Sequence, residues 1–325
     1  MVEINPSTPA DYERMEAYYG IIAPQAGITA DNLRHEDEAR NPDYHFNRWV
    51  SVEDGKVIGL GYHNQSNWFA GAQNFTIWVG VVPDHRRQGI GAALYQTILD
   101  GLQPYNPQKL RAYSPDDRPN SIAFLTHLGF REIIRDIQSE LDVQAFDFSR
   151  FADHQHAYLD DGITIKSVPD LASDLDRNRK LYDLDWDLSM AVPGDLAAGM
   201  GRRGLDQYIE YAITGDNVPP DAFFVAVRGD EYVGMSHLLI SEKDVSFYQG
   251  LTGVRPGFQH RGLGLAFKLK AIDYAQRNGY KTIRSENDAK NIPMLKMNEK
   301  LGFVRKSELI TFEKQLQTVG TSLCK

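Results

Sequence analysis

The stretch "HRRQGIGAA", residues 85–93, sets two glycines two apart behind a run of cations, and "FQHRGLGLA", residues 258–266, does the same. Gly262 follows Gly89 by 173 positions. Further along, "HLGF" at 127–130 matches "KLGF" at 300–303, and Gly302 follows Gly129 by the same 173. A chance pair of glycine turns would not fix the distance to a second motif. The chain is therefore read as a duplicated domain, and so long a period makes each copy a folding unit rather than a solenoid repeat.

The flanking segments agree between copies. "KVIGLGYHN" and "NFTIWVGVV" read as strands, rich in β-branched and aromatic residues and bounded by Gly and Asn. "AFFVAVRGDEYVGMSHLLIS" reads as two strands joined at Gly229-Asp230, a hairpin signal, and "DVSFYQGLTGV" as the next strand. After each turn the apolar spacing becomes helical, through Ala92, Leu94, Ile98, Leu99 and Leu102, and through Leu265, Leu269, Ile272 and Ala275. "VEINPSTPADYERMEAYY" and "ITIKSVPDLASDLDRNRKLYDL" each open with a short strand, a proline turn and a helix, which starts the second copy near Gly162. Expected boundaries are a first domain at 1–150, a linker at 151–161 and a second domain at 162–325.

With 325 residues, 42% of them hydrophobic and 24% charged, the chain has room for two cores of ordinary globular size. A net charge of −9 and a pI near 5.5 argue against nucleic acid as partner and suit a neutral or cationic small substrate. The single cysteine, Cys324, makes neither an internal disulfide nor a zinc site. His154 and His156, two apart, do not share a helical face, so no metal is expected. No secretory leader and no membrane-length apolar run is read, so the expected location is the cytoplasm and no membrane partner is expected.

A turn from strand into helix leaves the first helical N–H groups without internal acceptors, and the helix dipole adds positive charge there. That is an anion site, suited to phosphate. A nucleoside-triphosphate loop would need Gly-Lys-Ser/Thr, and a dinucleotide fingerprint a third glycine; both are absent from the two turns. Glycine at 89, 91, 262 and 264 is expected to let a phosphate approach the backbone, with Arg86, Arg87 and Arg261, and Gln88, Gln259 and His260, as donors at the rim.

"RRQGIG" at 86–91 and "QHRGLG" at 259–264 resemble the Q/R-x-x-G-x-G/A signature of the GCN5-related N-acetyltransferases (GNAT). The context is similar too: "VGVVPDHRRQG" and "TGVRPGFQHRG" each run strand, proline, signature, and each "LGF" resembles the end of the family's last core helix. The resemblance implies two tandem α/β domains with mixed sheets, each splayed so that the pantetheine of acetyl-CoA lies along a strand. It implies acetyl-CoA as co-substrate and a small-molecule amine as acceptor, in a monomer or homodimer. Carried over, the pyrophosphate site is Arg86, Arg87, Gln88, Gly89, Ile90, Gly91 and Ala92 in one copy and Gln259, His260, Arg261, Gly262, Leu263, Gly264 and Leu265 in the other. Val79 and Val81, and Thr252 and Val254, would offer backbone hydrogen bonds to the pantetheine arm, and Asn291 a side-chain contact. The tandem resemblance further implies that one copy does the chemistry and that the other is largely structural.

The family's usual acid, a tyrosine four residues before the glycine of "LGF", is replaced by Leu125 in the first copy and Asn298 in the second. Asn298 can hydrogen-bond a sulfur without giving up a proton, so the second copy is expected to be the active one. Neither central strand carries a carboxylate, which leaves Glu286, at the end of the strand after the signature helix, as the expected base. Tyr248 is read as a substrate contact or a core residue, with core packing favoured, and Tyr113 holds the position comparable to Glu286 in the first copy. The alternative is a silent acetyl-CoA-binding sensor.

Overall fold

A computed structural model describes residues 3–66, 69–154, 158–192, 200–241 and 244–316. Cys324 and His156 lie outside the described residues. The first half runs β1 (Glu3–Pro6), α1 (Tyr12–Ile22), α2 (Ala30–Glu38), β2 (Phe46–Glu53), β3 (Lys56–Asn64), β4 (Asn74–Val81), α3 (Ile90–Leu102), β5 (Lys109–Pro115), α4 (Pro119–His127) and β6 (Arg131–Asp142). The second repeats it as β7 (Ile163–Ser167), α5 (Arg177–Met190), α6 (Leu205–Ala212), β8 (Phe223–Arg228), β9 (Glu231–Ile240), β10 (Ser246–Val254), α7 (Leu263–Arg277), β11 (Thr282–Asp288), α8 (Ile292–Leu301) and β12 (Val304–Gln315).

Local chemistry explains the elements. The β8–β9 hairpin turns at Gly229, whose φ of 58° is the left-handed value that a tight hairpin demands. Helix α3 buries Ile90, Leu94, Ile98 and Leu102, one face at four-residue spacing, against β3 and β4. Complete burial of a side chain such as Leu94 stabilises by about 1.5–3 kcal/mol.

The halves do not form separate sheets. One twelve-stranded sheet runs β1-β2-β3-β4-β5-β12-β6-β11-β10-β9-β8-β7. The last strand of each half has crossed over: β12 pairs with β5 of the first half, and β6 pairs with β11 of the second. Between them β6 and β12 pair antiparallel, with Glu140 opposite Val304 and Arg131 opposite Glu313. Adding 173 to the first-half member of either pair gives the second-half member of the other, so a local two-fold axis relates the halves near Asp136 and Leu309, which face each other. The same symmetry produces two ion pairs across the exchange, Arg111 with Glu313 and Arg284 with Glu140.

Two clefts follow from the strand order. Strand β4 pairs with β5 only through Asn74, Phe75 and Thr76, and β10 with β11 only through Ser246, Phe247 and Tyr248. Beyond those residues the parallel strands part, and the ends of β4 and β10 keep open backbone groups on that side. The pairing of β10 with β9 slips by one residue between Gln249 and Thr252, a bulge that bends the strand at the mouth of its cleft. The pairing of β4 with β3 has no such slip.

Candidate active site

The two glycine turns have one backbone. Arg87 and His260 hold φ of 64° and 63°, and Gly89 and Gly262 follow at 85° and 81°. A left-handed non-glycine residue costs roughly 1–2 kcal/mol, and both copies keep it at the same position. Backbone strain retained twice marks a turn whose shape matters. The backbone N–H groups of residues 87–92 and 260–265 meet no acceptor among the described residues, while Ala93 and Ala266 begin the helical bonding to Gly89 and Gly262. Each turn is thus a concave set of free donors at a helix N-terminus.

Side chains lock that shape. Arg86 Nε donates to the carbonyl of Val81 at 2.9 Å, and Gln259 Nε2 to that of Val254 at 3.0 Å. Gln88 and Arg261 likewise donate back to the carbonyls of Asp84 and Gly257. Glycine is needed at Gly89 and at Gly264 for different reasons. A Cβ at Gly89 would meet nothing within 4 Å, so there the left-handed φ is what demands glycine, and the space it opens onto is free for an anion; Gly262 holds the same left-handed φ. A Cβ at Gly264 would stand 3.1 Å from Met297 Cε, so that glycine lets α7 approach α8. The rims differ in charge: Arg86 and Arg87 are exposed, whereas Arg261 is paired with Asp161 at 2.8 Å.

Val79, Val81, Thr252 and Val254 lie on the parts of β4 and β10 that have left their parallel neighbours. Thr252 is further fixed through its hydroxyl to Ser236 at 2.9 Å. Ile90, Ala92, Leu263 and Leu265 form the first turns of α3 and α7, where Ile90, Leu263 and Leu265 are buried. Asn291 caps α8, its Oδ1 accepting from the Met294 N–H at 3.3 Å. Asn298 is buried, and its Nδ2 donates to Ser285 Oγ at 3.2 Å and Asn287 Oδ1 at 2.8 Å, tying α8 to β11. In the first half the matching positions hold Leu125, Ala112 and Ser114, of which Leu125 and Ala112 belong to one apolar core.

Glu286 stands on the other face of β11, exposed, with Oε2 accepting from Gln138 of the exchanged strand at 2.7 Å. Glu286 and Asn298 therefore approach the cleft from opposite sides of the sheet. Tyr248 is not core: it is 44% exposed, beside Arg284, because it sits where β10 begins to leave β11. Tyr113 is also exposed, and its hydroxyl bonds to Thr76.

Three groups near the second cleft gave no signal in the sequence. Asp288 is 7% exposed, and its Oδ2 has no hydrogen-bond partner among the described residues. Asp136 of β6 faces it across the strands; burial first, then the charges of Glu286 and Asp288, push its carboxyl up to about 7. His237 lies so close to the bulge that a Cβ at Gly250 would come within 2.2 Å of its Nε2, and burial lowers its pKa to about 4, leaving it neutral.

A model of the acetyltransferase (GNAT) family matches residues 12–130 and again residues 181–303. Mycothiol acetyltransferase from Streptomyces scabiei (strain 87.22) is 27% identical over 230 residues, 69% of this chain and 66% of that protein, just under two thirds of its length. Among solved structures, a GCN5-related N-acetyltransferase from Sphaerobacter thermophilus superposes with a TM-score of 0.69 at 15% identity, covering 96% of this chain and 95% of that one. A tandem GNAT protein from the clavulanic acid biosynthesis pathway gives 0.69 at 16%, covering 97% and 98%. Both share the fold over its whole length. With the family's pattern present twice, the chain belongs to the acetyltransferase (GNAT) family, the GCN5-related N-acetyltransferases, as a tandem member.

Proposed function

We propose that this protein transfers an acetyl group from acetyl-CoA to a primary amine of a small molecule, by direct attack of the amine in a ternary complex, and that the second copy does the chemistry. The observation that carries the reading is the second glycine turn with its free N–H donors at the head of a cleft whose far wall, β11, presents carboxylates. Residues 260–265 would hold the pyrophosphate, with Gln259, His260 and Arg261 around it, and the open edge of β10 through Thr252 and Val254 would hold the pantetheine arm. Acetyl-CoA supplies the activated acetyl thioester; the chain supplies position, a carboxylate for the amine proton and backbone donors for developing charge. Residues 86–92 with Val79 and Val81 form the matching site in the first half. Acceptor choice is assigned to the segments at 20–45 and 186–220, which carry α2 and α6.

Asn298 and Leu125 also support the second reading, a sensor that binds acetyl-CoA without turnover, because neither side chain can return a proton to a leaving thiolate. Calorimetry and CoA release separate the two. The expected result is two acetyl-CoA sites in the parent and one in each of Gly89→Glu and Gly262→Glu, which set an anion where the pyrophosphate belongs. CoA release with a panel of polyamines, aminoglycosides, amino acids and peptides is expected to disappear in Gly262→Glu and survive in Gly89→Glu. Tight binding without release for any amine would leave the sensor, and unchanged stoichiometry in both variants would reject the cradle.

A further inference from the structure

The strand exchange carries a carboxylate of the first half into the cleft of the second. Asp136 on β6 is the cross-strand partner of Asp288 on β11, which places their Cβ atoms roughly 5 Å apart. Glu286, two residues before Asp288 on the same face, lies alongside the stretch of β10 that has separated from β11. All three carboxylates therefore face the cleft on the side of the sheet covered by α5, whose Leu188 packs on Gly253. The 173-residue symmetry places Leu309, Tyr113 and Pro115 at the corresponding positions of the first half, so the acidic face belongs to one cleft only.

We propose that Asp136, delivered by the exchanged strand, is the general base that takes the proton from the acceptor ammonium in the second cleft, with Glu286 and Asp288 holding that ammonium beside it.

This rests on the acetyl-transfer reading above and adds the residue that accepts the proton. Each carboxylate has a distinct place. Glu286 is exposed and accepts a hydrogen bond from Gln138. Asp288 is buried, with Oδ1 accepting from the Lys290 N–H and Oδ2 without a partner among the described residues. Asp136 is half-buried, so an amine can reach it, and its carboxylate accepts no hydrogen bond among the described residues. Burial and the two like charges lift it to about 7, the value that suits a base working near neutrality. The surroundings do not cancel that. Arg284, on the same face of β11, is held by Asp244 and Glu140. Arg135, the next residue on β6, is paired with Glu132 and Glu308. On the β12 side Asp136 faces Leu309 and, beyond it on β5, Pro115; Tyr113, two residues along β5, is near enough to feel its charge. Among the described residues no group of three or more His, Cys, Asp or Glu side chains is placed to hold a metal ion.

In the reaction the ammonium gives one proton to Asp136. The freed lone pair forms the C–N bond to the thioester carbon, and the C–S bond breaks with its electron pair leaving on sulfur. The surplus proton on nitrogen passes to that sulfur, so the products are the amide and the free thiol, and Asp136 returns its proton to solvent.

The test compares the parent with Asp136→Asn, using the best acceptor from the amine panel. Asparagine matches the protonated carboxyl in shape, and two calorimetric acetyl-CoA sites are expected to remain in the variant. Turnover is expected to fall at least 100-fold, and the rise of kcat/KM with pH, centred near 7 in the parent, is expected to vanish. A readout independent of activity is the titration of carboxyl-labelled aspartates by carbon NMR. One signal with a midpoint near 7 is expected in the parent, absent from Asp136→Asn and moved to lower pH in Glu286→Gln. Activity within threefold of the parent with the pH rise in place would overturn the inference, as would a midpoint near 4. A parent that turns over no amine would instead overturn the acetyl-transfer reading, and the role of Asp136 with it.

Discussion

The two halves keep the same backbone at the glycine turn and diverge in the strand that leads into it. In the first, β4 runs regularly, and the ring of Trp78 stacks on Tyr62 with centroids 5.8 Å apart while Tyr18 meets it edge-on. A Cβ on Gly80 would come within 2.4 Å of both Trp78 and the Tyr18 hydroxyl, so aromatic side chains fill that face of the cleft. In the second, β10 carries one residue more, Leu188 replaces the aromatic contact at Gly253, and carboxylates line the next strand. An anion site made of backbone N–H groups survives divergence of the side chains around it, because φ values at a few positions are enough to build it. Acid and base chemistry depends on side chains and is lost or gained one residue at a time.

The largest expected effect breaks the halves apart. Because β6 and β12 are exchanged, residues 1–146 alone lack the neighbour of β5 and present unpaired strand edges. That fragment is expected to show no acetyl-CoA site on its own and to recover it when co-expressed with residues 147–325. Size-exclusion chromatography with calorimetry checks this; a monomeric first half that binds acetyl-CoA would mean the halves are independent units.

The exchange was out of reach of the sequence for a physical reason. The repeat at 173 shows that "REIIRDIQSELD" and "VRKSELITFEKQ" follow equivalent helices, and each reads as a strand, but a strand's own pattern does not name its neighbour. By contrast the glycine turns, the β8–β9 hairpin and the helices after each turn were legible, since φ above zero and apolar periodicity are local properties. Glu286 is a candidate the sequence offers because it follows the motif along the chain. Asp136 is not, lying 150 residues away and joining the cleft only through long-range pairing, and Asp288 reads as an ordinary loop acid until its burial is seen.

A smaller effect sharpens the symmetry of the two ion pairs. Arg111 is 5% exposed, bonded to Glu313 at 3.1 Å and stacked over Phe69. Its partner by symmetry, Arg284, is shared between Glu140 and Asp244 at a wetter site. Removing one member of a buried pair leaves an uncompensated charge, so Arg111→Ala is expected to cost about 3 kcal/mol. Arg284→Ala is expected to cost about 1 kcal/mol or less, as screened pairs do. Urea denaturation measures both, and equal losses would mean that burial does not separate the twins.

The smallest effect decides what the aromatic cluster of the first half is for. Tyr18 is buried and its hydroxyl has no hydrogen-bond partner among the described residues; burial holds its pKa well above the usual phenol value. A buried donor without an acceptor costs stability, so if the cluster is simply packed core, Tyr18→Phe should be neutral or stabilising by up to about 1 kcal/mol. Acetyl-CoA affinity of the first-half site, measured in the Gly262→Glu background, should then be unchanged. A hydroxyl kept against Gly80 to donate to a bound carbonyl would give a different pattern: stability hardly altered and affinity down by about tenfold, the loss of about 1.4 kcal/mol expected for one hydrogen bond made only in the complex. The two patterns exclude each other in the binding measurement, which makes one methodical substitution enough to say whether the first copy has been filled in or still reads the acyl group.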